Sequence, residues 1–277
     1  MLVTLRELLP QARRAQYAVG LFNTVNLEMA MGVLAAAEEA RAPVIIGTAE
    51  ILLPYAPLEV LAGLLLPMAR RATVPVAVHF DHGLTVENTI KAMELGFSSV
   101  MFDASTLPVE ENIQAVRAMT ERAHGQGVSV EAELGHVGDA QLQDAGEDCF
   151  TQPEEAARFA EATGVDALAV AFGTAHGAYK RQPRLDFDRL AQIARITPTP
   201  LVMHGGSGLS EPDFKRAVAE GVTKINIFTD INCACEKAAA EGYRPGMGMT
   251  DRMQAMVEAV RLATLEKMRI FGCLGRA

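Results

Sequence analysis

His82, His176 and His204 are each followed directly by glycine, as is His124. A neighbour without a side chain lets the backbone approach a small ligand closely. Three imidazoles with a fourth position left open match a catalytic zinc site, whereas structural zinc takes four closed ligands. The competing reading makes each a hydrogen-bonded histidine at the start of a loop. His79, just upstream of His82, is a rival ligand better suited to filling an interior, and His124 and His136 read as structural or solvent-facing. Asp81, adjacent to His82, is the carboxylate best placed to carry a proton beside a metal; its alternative is to cap a helix or orient the histidine. The run His204-Gly205-Gly206-Ser207-Gly208 offers bare amides and a hydroxyl to an anion, although a tight turn would use the same residues. A metal beside a phosphate cradle points to a phosphorylated carbonyl compound, whose carbonyl the cation polarises and whose enediolate it stabilises.

These residues need elements that bring them together. Short β-rich apolar runs recur about every thirty residues, at 18–22, 44–47, 76–80, 99–102, 129–132, 167–172, 201–203 and 224–227. Between them lie stretches with helical periodicity, including 27–40, 58–72, 86–95, 110–124, 154–163 and 212–220. Thr85, Thr151 and Ser210 can cap helices that follow, and Gly96, Gly127, Gly164 and Gly221 can end helices before the next strand. Eight such units predict a closed parallel (β/α)8 TIM barrel, an α/β fold, as a single domain over 1–277 with extra C-terminal helices such as 253–271. An open doubly wound sheet is the alternative, but the first strand–helix junction, 22–26, lacks a Gly-x-Gly-x-x-Gly fingerprint.

In a barrel the chemistry sits where strands end. Asn23, Thr48, Asp81-His82-Gly83, Asp103, Glu131 with Glu133, 173–177, 204–208 and 226–230 then share one rim. The loop 205–208 and the stretch Asn226–Thr229 fall after strands 7 and 8, where barrels commonly hold phosphate. Lys224 opens the eighth strand and is assigned to the opposite face, which disfavours a Schiff-base mechanism.

Composition excludes several classes. The chain has 277 residues, 49% of them hydrophobic and 21% charged, which suits a globular protein rather than a disordered or fibrous one. A net charge of -9 repels a phosphodiester backbone, so no nucleic acid is expected as a partner. The absence of a signal-like opening and of a bilayer-length apolar run predicts a cytoplasmic protein without a membrane partner. Four scattered cysteines suit reduced thiols, and the Cys233-x-Cys235 pair would need an unwound backbone to bind metal.

Taken together, Phe22-Asn23, 79–83, 130–135, 173–177, 204–208 and Lys224-Ile225-Asn226 resemble the class II, zinc-dependent ketose-bisphosphate aldolases, of the fructose- and tagatose-bisphosphate type. The resemblance covers nearly the whole chain. It implies reversible aldol cleavage of a ketose (1,6-bis)phosphate to dihydroxyacetone phosphate and an aldehyde such as glyceraldehyde 3-phosphate, in a homodimer or homotetramer. It implies His82, His176 and His204 as ligands of Zn2+, and Asp103 and Glu133 as secondary ligands or their supports. Asp81 matches the acid/base that takes the C4 hydroxyl proton, and Asn226 lies beside the developing enediolate. Gly177, Gly205, Gly206, Ser207 and Thr229 match positions that hold the dihydroxyacetone phosphate half; Lys180, Asn23 and Thr48 join the same substrate surface. A monovalent cation, Na+ or K+, is often used near the phosphate.

Two departures stand out. The family's mobile-loop glutamate is absent from its place in 136–141, leaving Asp139, Asp144, Glu147 or Asp148. The family's late Asp-Pro-Arg, whose arginine helps bind the distal phosphate, is also missing, leaving Arg244 or Arg252. An aldolase for a ketose 1-phosphate with a different distal group is therefore an alternative, as is a non-catalytic phosphosugar-binding barrel. Another metal-barrel enzyme, an epimerase or hydrolase of phosphosugars, is a third.

Overall fold

A computed structural model describes residues 1–135, 137, 150–177, 179, 182–241, 246 and 248–277. Eight strands form a closed parallel barrel in chain order: β1 (Val19–Asn23), β2 (Val44–Ala49), β3 (Val76–Gly83), β4 (Ser99–Phe102), β5 (Ser129–Leu134), β6 (Ala167–Val170), β7 (Leu201–Met203) and β8 (Val222–Ile227). Closure is made by β1 against β8, with Val19 opposite Lys224 and Leu21 opposite Asn226. Nearly every strand residue is buried, as expected of strands covered by helices outside and by packed side chains within.

The helices run α1 (Leu5–Ala15), α2 (Leu27–Ala40), α3 (Leu58–Arg71), α4 (Val86–Leu95), α5 (Val109–His124), α6 (Pro153–Thr163), α7 (Phe187–Ile196), α8 (Glu211–Ala219), α9 (Thr229–Glu241) and α10 (Met249–Phe271). The expected barrel is therefore present, with two C-terminal helices, and α10 packs along α2. Helix α1 stands outside the repeating units. It covers the strands' N-terminal ends: Arg6 donates its backbone N–H to Ser129 Oγ at the start of β5, and Arg13 donates to the carbonyls of Ala194, Thr197 and Thr199 just before β7. The opposite mouth is left for the βα loops.

Local signals hold at most boundaries. Thr85 and Ser210 accept from Asn88 N and Asp213 N, and Gly96 and Gly164 end α4 and α6 in the left-handed conformation. Thr151 is a correction, because the cap of α6 is Gln152, followed by Pro153. The Thr151 hydroxyl instead donates to Leu134 O and accepts from Ala171 N at 2.8 Å, tying the ends of β5 and β6 together. Strand β3 also runs past Phe80 to Gly83, so Asp81 and His82 belong to the strand itself. Among the described residues no helix is long and apolar enough to cross a membrane.

Candidate active site

Side chains two apart on a strand face the same side. His79 and Asp81 on β3, Glu131 and Glu133 on β5, and Lys224 and Asn226 on β8 all use this rule to fill the barrel interior, and all six are buried. His82 does not follow it. Its φ is 43°, and the pairing of β3 with β4 shifts register between Phe80 and Gly83. A left-handed histidine costs on the order of 1 kcal/mol or more, and the bulge re-aims its ring at the rim.

There His82, Glu133, His176 and His204 bring one ligand atom each within 4.8 Å of one another. The three imidazole centroids lie 4.5 to 5.7 Å apart. Outer bonds select the nitrogen that faces inward. His82 Nδ1 meets Asp103 Oδ2 at 2.9 Å, so Nε2 is turned to the cluster, where it makes no hydrogen bond to any described residue. His204 Nε2 meets Glu131 Oε1 at 2.8 Å, so Nδ1 is the inward nitrogen, 3.1 Å from Glu133 Oε2. A buried, nitrogen-rich donor set with carboxylates orienting the rings fits a divalent metal. Asp103 stands behind His82, where it also accepts from Ser105 N, while Glu133 stands inside the cluster.

The charges agree with that division. Burial, reinforced by the charge of His82 and then His204, lowers His176 to about 3, leaving a neutral ring. Burial would also lower His204, but its bonds to Glu131 and Glu133 outweigh it and push the ring up to about 10. His82 is raised as well: burial opposes the shift, and the neighbouring Asp81 carboxylate overcomes it. Asp81 is held far below the usual carboxylate range, because His82, Lys224 and His204 outweigh the penalty of burial.

Asp81 receives two amide donors, Asn23 Nδ2 at 2.8 Å on Oδ2 and Asn226 Nδ2 at 3.0 Å on Oδ1. The Asn226 amide oxygen in turn accepts from Lys224 Nζ at 2.6 Å. Lys224 therefore corrects the sequence reading: its ammonium does not sit on the opposite face but inside the barrel, 2.8 Å from Glu131 Oε2. Its two-residue offset from Asn226 was the signal that places it there. His79 lies in the same interior layer, with Nδ1 2.8 Å from Ser99 Oγ and burial as the main cause that lowers it to about 4.

Beside the cluster, Gly205 adopts φ 66°, and a Cβ there would lie 2.3 Å from Ala175 O. Ser207 Oγ accepts from Phe228 N at 3.3 Å and Asp230 N at 3.4 Å, joining the loop after β7 to the start of α9, where Thr229 lies. Tyr179, not singled out by sequence, donates from its hydroxyl to Gly205 O at 2.7 Å and accepts from Ala175 N at 2.8 Å. Gly206 packs against the Asn226 backbone, and Gly177 has φ 91°. Thr48 is buried in β2 but is in register with Phe80, while its neighbours Gly47 and Ala49 stand opposite the inward-facing His79 and Asp81, so its side chain is on the other face of the sheet from Asn23 and Asp81. Lys180, His136, Arg244, Asp139, Asp144, Glu147 and Asp148 lie outside the described residues. Arg252 is in the first turn of α10.

A closed parallel barrel whose rim gathers imidazoles able to hold a metal, an ionised carboxylate and a glycine-rich loop has the make-up of a metal-dependent barrel enzyme. The model of the family "Fructose-bisphosphate aldolase class-II" matches residues 3–276. A fructose-bisphosphate aldolase of Geobacillus stearothermophilus is 40% identical, covering 100% of this chain and 99% of its own, and one of Thermus caldophilus is 39% identical over 100% of both. The crystal structure of the YdjI aldolase from Escherichia coli K12 superposes with a TM-score of 0.92 at 38% identity, over 100% of both chains. This chain belongs to the class-II fructose-bisphosphate aldolase family. It is a metal-dependent aldolase, a carbon–carbon lyase that acts on a phosphosugar.

Proposed function

We propose that the enzyme reversibly cleaves a ketose 1-phosphate or 1,6-bisphosphate to dihydroxyacetone phosphate and an aldehyde, using Zn2+ held by His82, His176 and His204, with Glu133 as a further ligand. The convergence of the three inward ring nitrogens beside ionised Asp81 carries this reading. Zinc, when bound, draws electrons from the substrate carbonyl and steadies the charge left by bond cleavage. Asp81 takes the C4 hydroxyl proton, and the Asn226 and Asn23 amides hold its carboxylate for that transfer. Asp103 keeps His82 turned toward the ion. Gly177, Gly205, Gly206, Ser207 and Thr229 embrace the phosphate on carbon 1, together with Lys180 and a monovalent cation, Na+ or K+.

The relatives named as fructose-bisphosphate aldolases support glyceraldehyde 3-phosphate as the aldehyde. A second reading, carried by the absence of the Asp-Pro-Arg triplet, is an aldehyde with a different distal group, because a bidentate arginine is what normally selects a distal phosphate. The protein acts as one domain over 1–277, in a homodimer or homotetramer, in the cytoplasm, where four scattered thiols stay reduced. A coupled assay for dihydroxyacetone phosphate over fructose bisphosphate, tagatose bisphosphate, ketose 1-phosphates and 6-sulfo analogues tests both readings. Strong preference for a bisphosphate, lost on changing Arg244 or Arg252, supports the first. Preference for another distal group supports the second, and no dihydroxyacetone phosphate from any member removes both.

A further inference from the structure

Lys224 has no side-chain exposure, and its Nζ lies in the centre of the barrel between Glu131 and Asn226. Its ammonium lies 3.1 and 2.8 Å from the two Glu131 oxygens and 2.6 Å from Asn226 Oδ1. An ammonium has donors only, and a carboxylate accepts only. Asn226 stands between one of each, Lys224 on its oxygen side and Asp81 on its nitrogen side. Only one orientation of the amide satisfies both neighbours. The reverse would turn a carbonyl oxygen toward the Asp81 carboxylate and an N–H toward the ammonium, two repulsive contacts among buried groups, where unmatched polar atoms are costly.

We propose that Lys224 is a positioning residue whose buried ammonium, anchored on Glu131, locks the Asn226 amide with its N–H toward Asp81. Glu131 is what keeps this charge in place. It holds Lys224 from one side and receives His204 Nε2 at 2.8 Å on the other, so a single carboxylate sets both the lysine and the ring that faces the cluster. Lys224 touches neither the cluster nor the anion loop in any contact described above and acts through Asn226. The inference rests on the aldolase reading for its kinetic part alone; the amide orientation stands or falls by itself.

The test begins with the wild-type protein. A neutron crystal structure should place deuterons on the Asn226 atom that faces Asp81, and an oxygen in that position overturns the proposal whatever the enzyme's substrate. Kinetics follow with Lys224→Met, which has similar volume without charge, and with Lys224→Met/Glu131→Gln, which also removes the carboxylate that the first change strands. The amide oxygen introduced by Glu131→Gln can still accept from His204, so the double variant should fold and hold metal, as read by its melting temperature and by metal analysis. Its kcat should nevertheless fall about 10²-fold with KM nearly unchanged, the scale of a misplaced reacting group. Asn226→Ala should then cost much less in that background than in the wild type, because the two changes disable one device.

A double variant with wild-type kcat would mean that Lys224 serves only to neutralise Glu131. Independent, fully additive losses would likewise overturn the proposal. If the variants do not fold, the neutron structure decides. If the wild type makes no dihydroxyacetone phosphate from the substrate panel, the functional reading fails, while an Asn226 oxygen facing Asp81 would still overturn the role of Lys224.

Discussion

His204 is the residue at which protons and metal compete. Fully buried between Glu131 and Glu133, and raised to about 10, it is an imidazolium in the metal-free protein at neutral pH. A histidine raised on folding stabilises the fold fully below its ordinary pKa, about 6.5, and that contribution fades as pH rises through the folded value. Metal binding needs the lone pair on the inward Nδ1 and so must expel a proton. Zinc affinity should therefore climb between pH 6 and 9, with at least one proton released per ion. Calorimetry in buffers of different ionisation enthalpy measures this, and a flat affinity over that range would count against the assignment. Asp81 makes a separate prediction. Asp81→Asn preserves shape and should keep fold and zinc while lowering turnover by about 10² to 10⁴, the range for a lost general acid/base. Turnover within a few-fold of wild type would move the proton to another group, Glu131 or Glu133 first. His82, His176, His204 and Asp81 were legible because each stands where an apolar run gives way to polar residues. Lys224 was misassigned because its position was read along the strand, by distance from the end, when the alternation it shares with Asn226 decides the direction of its side chain. The left-handed backbone of His82 had no sequence signal, since the residue type that ordinarily marks such a conformation is glycine.

At the scale of elements, the loop after β7 depends on backbone freedom more than on any side chain. Gly205 combines φ 66° with a would-be Cβ 2.3 Å from Ala175 O, in a loop that Tyr179 bonds to the segment after β6. Gly205→Ala must distort one or both loops. It should destabilise the protein by roughly 1 to 3 kcal/mol and raise KM for the phosphorylated substrate more than it lowers kcat. Denaturant melts and steady-state kinetics read the two effects, and an unchanged KM would remove Gly205 from the anion cradle. Strand and helix order were readable because eight apolar runs alternate with helical periodicity at near-constant spacing. Boundaries were less so: β3 continues through polar Asp81 and His82 because Thr48 and Ala49 on β2 still pair with Phe80 and Asp81, a ladder that hydrophobicity does not report. Helix α1 belongs to no strand–helix unit, so the repeat gave no reason to expect a cover on the N-terminal mouth.

For the whole molecule, the cluster ties β3, β5 and the segments after β6 and β7 to one ion, so metal removal should be felt globally. Zinc at about a thousand times its dissociation constant adds roughly 4 kcal/mol, which for a chain of this size is on the order of 10 °C in melting temperature. Scanning calorimetry of chelated and zinc-loaded protein should show that rise, and it should vanish in His204→Ala. The interior network has a further consequence for how such a molecule diversifies. Asn23, Asp81, Asn226, Lys224, Glu131 and His204 hold one another from strands or from the first residue beyond one, and none of these bonds relies on a connecting loop. The enzyme thus resembles a workbench with a fixed vice and interchangeable jigs. Changes in the connecting segments that leave His176 and Gly177 in place can then alter the aldehyde end alone, while the grip on the reacting carbons travels unchanged with the barrel.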